Sequence, residues 1–261
     1  MVTLYEHPLS PYAQKVKIAL REKGVPFDLE LPDGMGTGDA GGVFLTASPR
    51  GEVPALIDGD TAVFDSTIIL EYIEDRWPTP PLLPASPADR ARVRMIEEVM
   101  DTHYEAINWG LMEVGWFKRA EGELAATLVA AATAQTHGFY HWLEGQLADR
   151  DWFDGETFGW GDLSVAPYVG ASMVMGILPK PQSPLHAWFD RAMQRAAVAQ
   201  TIAEARAFKT AESNVADLVA QGLFKREYRD HRLEWMIKSG GLEVVTKGLA
   251  ADNIRFAPDF G

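Results

Sequence analysis

The sequence predicts two folding units of different class: an α/β unit over residues 1–77 and an all-α unit over residues 88–210, with an extension at 211–261. Three observations predict this. Short strand signals and helix-spaced apolar residues alternate up to Trp77. Residues 78–87 then carry Pro78, Pro80, Pro81, Pro84 and Pro87, which cannot continue a helix and read as a proline-stiffened linker. Beyond the linker the signals are almost wholly helical.

The elements follow in order. Val2-Thr3-Leu4-Tyr5 reads as a strand, with Tyr5 as a packing residue and His7 in the loop that follows. Residues 10–20 open a helix whose apolar positions, Val16, Ala19 and Leu20, are separated by polar and basic ones, so an amphipathic helix is expected. Gly24-Val25-Pro26-Phe27 ends it and begins a second strand, completing β-α-β. The glycine-rich stretch 34–42 lacks the Lys-Ser or Lys-Thr of a phosphate loop and the third glycine of a dinucleotide fingerprint; a loop before a poorly formed helix is expected. A strand opens on Val53-Pro54, a second strand follows, and Asp65-Ser66 heads a helix over 67–76. After the linker, Ser86 caps and Pro87 opens the first long helix. In the extension, residues 227–238 are helix-prone and Gly240-Gly241 stops them.

Composition narrows the function. A net charge of −13 argues against a nucleic-acid or anionic-membrane partner, since both demand basic clusters. No apolar run approaches a membrane span and Met1-Val2-Thr3 runs directly into a strand, so a cytoplasmic location is expected. The chain has no cysteine, which excludes disulfides, thiolate–metal sites and a thiol nucleophile of its own. No metal is expected.

Two features point to a ligand. Pro54 removes a main-chain donor and leaves neighbouring backbone groups facing outward. Ten residues on, Asp65 and Ser66 stand at a helix N-terminus, whose free N–H groups receive anions. A site of this form holds an extended peptide-like ligand by its backbone and its carboxylate. With Ser10-Pro11-Tyr12-Ala13 upstream and Phe158-Gly159-Trp160-Gly161-Asp162 downstream, the chain resembles the glutathione transferase superfamily over roughly residues 1–210.

The resemblance implies a thioredoxin-like N-terminal domain that binds glutathione and a helical domain that holds a second, hydrophobic substrate. It implies that Val53 and Pro54 meet the cysteinyl backbone, that Asp65 and Ser66 grip the γ-glutamyl carboxylate, and that Arg50 meets the glycyl carboxylate where the family often has lysine, with Glu52 a further glutathione-binding candidate. Ser10 stands where thiol-transferring members carry cysteine. A hydroxyl cannot exchange disulfides, but it can donate to a glutathione thiolate. Tyr12, just after the proline, is the rival for that role. Tyr104, Trp109, Trp116 and Tyr168 are the aromatic candidates for the second-substrate pocket. Gly159 replaces the usual Ser or Thr of the family's helix cap, leaving Asp162 to supply half of the box. His231 reads as a surface histidine.

The function expected is a glutathione transferase attacking an apolar electrophile. The alternative is a non-enzymatic binding or scaffold protein of the same fold. A homodimer is implied by the family, with Arg90, Arg92 and Arg94 near Glu71, Glu74 and Asp75 at the interface. The extension could cover the site, wrap a partner subunit, or pack as an extra helix.

Overall fold

The computed structural model describes residues 1–34, 41–211 and 215–256. Most of the glycine-rich stretch lies outside the described residues, as do residues 257–261. β1 (Val2–Tyr5), α1 (Pro11–Glu22) and β2 (Phe27–Glu30) form a β-α-β unit with parallel strands, the connection that parallel pairing requires. After the short α2 (Val43–Ala47), β3 (Ala55–Asp58) and β4 (Thr61–Phe64) make an antiparallel hairpin that adds to β1. The sheet order is β2-β1-β3-β4. Gly59 takes φ 59° in the two-residue hairpin turn, a backbone that favours glycine. α3 (Ser66–Arg76) completes the unit. The register sets Leu4 between Leu29 and Leu56, and Leu4 and Leu56 are fully buried.

α1 is amphipathic as expected, but its polar face is covered rather than solvated. Every residue from Ala13 to Leu20 is buried. One face of α1 packs on the thioredoxin-like sheet unit, and the helical domain covers the other. Lys15 and Lys17, fully buried, therefore carry ion pairs into that domain. Lys15 Nζ lies 2.5 Å from both Glu97 and Asp101, and Lys17 Nζ lies 3.2 Å from Glu6 and 3.1 Å from Glu204. Buried charges require such partners.

The linker is fastened rather than free. Leu82 and Leu83 are buried, and their N–H groups donate to Glu74, which also pairs with Lys23 at 2.7 Å. The helical domain comprises α4 (Pro87–Val99), α5 (Glu105–Gly115), α6 (Gly122–Leu147), α7 (Trp160–Val174), α8 (Pro184–Ala192) and α9 (Ala196–Ala211). A π-helical turn, Met100–Tyr104, joins α4 to α5 and carries Asp101. Arg94 grips Glu71 at 2.7 and 2.9 Å within the same chain, Arg92 pairs with Asp89, and Arg90 donates to the Pro84 carbonyl. The arginines expected at a subunit interface thus find partners inside the chain.

At the start of α7, Asp162 accepts from the Gly159 N–H at 3.0 Å, as expected. The other half of the cap comes from outside the helix: Asp154 accepts from Trp160 N at 3.2 Å and Gly161 N at 2.6 Å. A Cβ on Gly159 would sit 2.5 Å from the Leu82 carbonyl oxygen and against the Asp154 carboxylate. Glycine stands there because an aspartate occupies the space of the missing side chain.

The extension forms α10 (Val215–Ala220), β5 (Arg226–Glu227), α11 (Asp230–Lys238), α12 (Leu242–Ala250) and β6 (Ile254–Arg255), with β5 and β6 parallel. α11 begins later than expected because Arg226 and Glu227 pair with β6 instead. It lies on α5, where Gly110 lets the Trp235 ring approach; a Cβ there would collide with that ring. Among the described residues, no helix is long and apolar enough to cross a membrane.

Candidate functional site

A cleft of about 1060 Å³ separates the sheet unit from the helical domain, and the extension closes one side. Ser10, Tyr12, Arg50, Glu52, Val53, Pro54, Asp65 and Ser66 all line it. Sequence positions up to 56 apart therefore meet in one place.

Ser10 caps α1, with Pro11 in the first turn; its Oγ accepts from Ala13 N at 3.3 Å. Among the described residues that is its only side-chain bond, so its own hydrogen remains for a ligand. Beside it, His7 Nδ1 accepts from Leu9 N at 3.2 Å. Burial, then the nearby Arg226 and Lys17 charges, push the imidazole down to about 4, so it is neutral at pH 7. Tyr12 is differently employed. Its hydroxyl donates to the Asp101 carbonyl at 2.7 Å and lies 3.5 Å from His231 Nε2, and burial raises its pKa well above the ordinary value.

The peptide bond between Val53 and Pro54 is cis. Among the described residues, the Val53 N–H and C=O have no hydrogen-bond partner, so an extended ligand can pair with them like a strand. Asp65 has φ 74° and ψ 125°, a left-handed backbone costly for a side-chain-bearing residue. Its Oδ1 accepts from Thr67 N and Ile68 N, which anchors α3, and Ser66, the first residue of that helix, lines the cleft. Arg50 bridges Asp65 at 3.2 Å and Glu52 at 3.0 Å and lies 5.4 Å from the Phe64 ring centroid. Glu52 is raised to about 7, first by burial and then by the neighbouring Glu227 carboxyl group of the extension.

The four aromatic candidates divide. Trp109 and Trp116 line the cleft. Tyr104 and Tyr168 do not: both are fully buried in the helical core. Tyr104 bonds Ser172 at 3.0 Å, and Tyr168 donates to Asp101 Oδ1 at 2.7 Å. On the sequence, helical spacing could not tell the core face from the cleft face.

Sequence reasoning left covering the site as one of three roles for the extension and named none of its arginines. Arg226, Arg229, His231 and Arg232 all line the cleft. His231 is corrected from a surface residue to a wall residue: its Nε2 is 3.0 Å from Glu105, which Arg232 also holds at 2.7 and 3.1 Å. The three-residue spacing of Arg226, Arg229 and Arg232 in an acidic chain was the available signal.

A thioredoxin-like unit with a cis-proline ledge and a helical second domain defines a class, and the sequence comparisons agree. The description "Glutathione S-transferase, N-terminal domain" matches residues 4–81, and "Glutathione S-transferase, C-terminal domain" matches residues 126–191. The chain belongs to the glutathione transferase superfamily. Glutathione S-transferase U28 of Arabidopsis thaliana is 30% identical over 75% of this chain and 85% of its own length. A stringent starvation protein A homolog of Coxiella burnetii is 28% identical over 70% of this chain and 81% of its own length. The crystal structure of rice GST1 in complex with glutathione superposes with a TM-score of 0.65 at 26% identity, covering 80% of this chain and 96% of that one.

Proposed function

We propose that the protein is a glutathione transferase in which Ser10 stabilises the glutathione thiolate for attack on an electrophile held against Trp109 and Trp116. Free thiols titrate near pKa ~8.5, so a donor at a helix N-terminus raises the thiolate fraction at neutral pH. The observation that carries this reading is the uncommitted hydrogen of Ser10 in the cleft that also contains Val53, Pro54, Asp65 and Ser66. Val53 and Pro54 would hold the cysteinyl backbone, Asp65 and Ser66 the γ-glutamyl carboxylate, and Arg50 and Glu52 the glycyl end. Family membership supports glutathione as co-substrate. The family's usual arrangement also suggests a homodimer, which light scattering at micromolar concentration tests.

The alternative is a binding scaffold of the same fold, a reading favoured by the similarity to stringent starvation protein A. Retention on immobilised glutathione and turnover of activated aryl halides separate the two. Ser10→Ala should retain binding and lose turnover by about tenfold or more, the size of one charge-assisted hydrogen bond. Unchanged turnover at saturating glutathione removes Ser10 from the mechanism. Ser10→Cys should become glutathionylated by glutathione disulfide, whereas the native chain, lacking cysteine, should gain no mass.

A further inference from the structure

Residues 7–10 form one hydrogen-bonded turn, in which the Ser10 N–H donates to the His7 carbonyl at 2.8 Å. Such a turn brings its end residues within about 7 Å, Cα to Cα. Both ends line the cleft. Ser10 is employed at the sulfur; His7, at the other end of the turn, is not.

The His7 ring has one tautomer and one orientation. Its Nδ1 accepts from Leu9 N at 3.2 Å, so in the neutral ring the hydrogen sits on Nε2. The ring meets Phe208 of α9 edge to face, with centroids 4.8 Å apart and planes at 72°. With its pKa pushed down to about 4 by burial and then by the Arg226 and Lys17 charges, the ring is neutral at pH 7. The Nε2–H has no hydrogen-bond partner among the described residues, yet the residue is only half-buried and Nε2 keeps accessible surface. The turn thus presents a neutral donor, held still and open to the cleft.

Its neighbours show which half of the cleft it serves. Phe208 belongs to the helical domain. Leu9, whose N–H fixes the tautomer, also lines a smaller apolar pocket with Trp109, Met112 and Trp116. His7 therefore stands on the electrophile's side of Ser10. The arginines of that wall are engaged, Arg226 with Glu113 and Arg232 with Glu105.

We propose that His7 is a second catalytic residue, whose Nε2–H receives the oxygen on which negative charge develops when the thiolate adds to a carbon conjugated to a carbonyl. The role rests on the transferase reading of the cleft. In that step the glutathione sulfur bonds to the β-carbon, the alkene π pair shifts toward the carbonyl, and the carbonyl oxygen takes up the displaced charge. His7 donates a hydrogen bond to the enolate oxygen and keeps its proton; water then protonates the α-carbon. A fixed donor aimed at developing charge strengthens in the transition state. Displacement at an alkyl halide puts the charge on the leaving halide and has no use for it.

Turnover at saturating glutathione is measured with benzylideneacetone and with benzyl chloride, which share the phenyl body. His7→Phe keeps a ring against Phe208 and removes the donor. It should lower kcat for benzylideneacetone at least about tenfold, as loss of an oxyanion donor does, and leave benzyl chloride unchanged. His7→Gln, which returns an N–H near the Nε2 position, should restore much of the loss. A smaller fall, or an equal fall with both substrates, overturns the role. A shift in the thiol pKa of bound glutathione in His7→Phe assigns the N–H to the sulfur and overturns it as well. The native protein alone supplies a further check, which stands even where no His7 variant folds. With S-methylglutathione in place, the carbonyl stretch of bound benzylideneacetone should lie below its value in an apolar solvent, and an unshifted band overturns the proposal. Native turnover of benzyl chloride alone overturns the role of His7 and leaves the transferase reading standing. Turnover of neither substrate, with no retention on immobilised glutathione, overturns both.

Discussion

At Ser10 and Tyr12, two hydroxyls two residues apart have different amounts of hydrogen bonding left to offer. Tyr12 already donates to the Asp101 carbonyl inside the protein, whereas Ser10 accepts from Ala13 and keeps its hydrogen. Burial also raises the Tyr12 pKa well above the ordinary phenol value, so its hydroxyl stays protonated with that hydrogen already given to Asp101. Ser10→Ala should therefore raise the thiol pKa of bound glutathione by about one to two units, and Tyr12→Phe should leave it in place. Thiolate absorbance as a function of pH measures both; a shift in Tyr12→Phe alone would transfer the role to the tyrosine. Gly159 is the second position where one atom decides. Gly159→Ala places a methyl against the Leu82 carbonyl and Asp154, so it should destabilise by about 1–3 kcal/mol, the ordinary cost of overpacking. Thermal melting should show a lower midpoint with glutathione binding retained.

Two helix ends set opposite pH dependences. At the α7 N-terminus, burial and the charge of Asp162 raise Asp154 from 3.8 to about 8; burial raises Asp162 itself to about 6. Both folded-state values exceed the unfolded ones, so the native state holds more protons and stability falls as pH rises from about 4 to about 8. Asp154→Asn should flatten this slope in urea-unfolding experiments across that window; a slope as steep as the native one would remove Asp154 as its source. Where α11 meets α5, burial alone would raise Glu105, but Arg232 and His231 lower it from 4.5 to about 2. Here the folded value lies below the unfolded one. The stabilisation is present above pH 4.5 and is lost as pH falls toward 2. Since this contact closes the extension over the cleft, acid should loosen the extension and change the fluorescence of Trp235 and Trp109.

Across the whole molecule, the two domains are joined through α1, and the joint is ionic as well as apolar. Lys15 holds Glu97 and Asp101, while Glu97 also accepts from Thr67 at 2.9 Å and from the Trp160 indole at 2.5 Å. One carboxylate thus ties α1, α3, α4 and α7. Burial raises Asp101 to about 6 even though Lys15 opposes the rise. Lys15→Met removes the shared cation and leaves two buried carboxylates facing one another. Equilibrium unfolding should show a loss of about 3–5 kcal/mol, typical of breaking a buried pair on one side. A loss below about 1 kcal/mol would mean that the domains are held by apolar packing alone.

What the sequence by itself determined was local. Val53-Pro54, Asp65-Ser66 and Ser10-Pro11 were legible because a ring that lacks an N–H, a helix-capping carboxylate and a first-turn proline act over a few bonds, whatever surrounds them. The order of strands and helices and the linker followed from the same short-range rules, and the family from the resemblance those motifs carry. Tertiary structure decided which face of each element is covered. Lys15 and Lys17 have the spacing of a solvated face, yet a second domain lies over them and supplies their partners. Tyr104 and Trp116 carry the same helical apolar signal, and only tertiary packing sends one to the core and leaves the other on the cleft. Likewise, the half-cap missing at Gly159 is completed by Asp154, and the cleft wall by Arg226 and His231. Periodicity records that a side chain prefers burial or pairing; the partner that satisfies it comes from elsewhere in the chain and is found only when the chain folds.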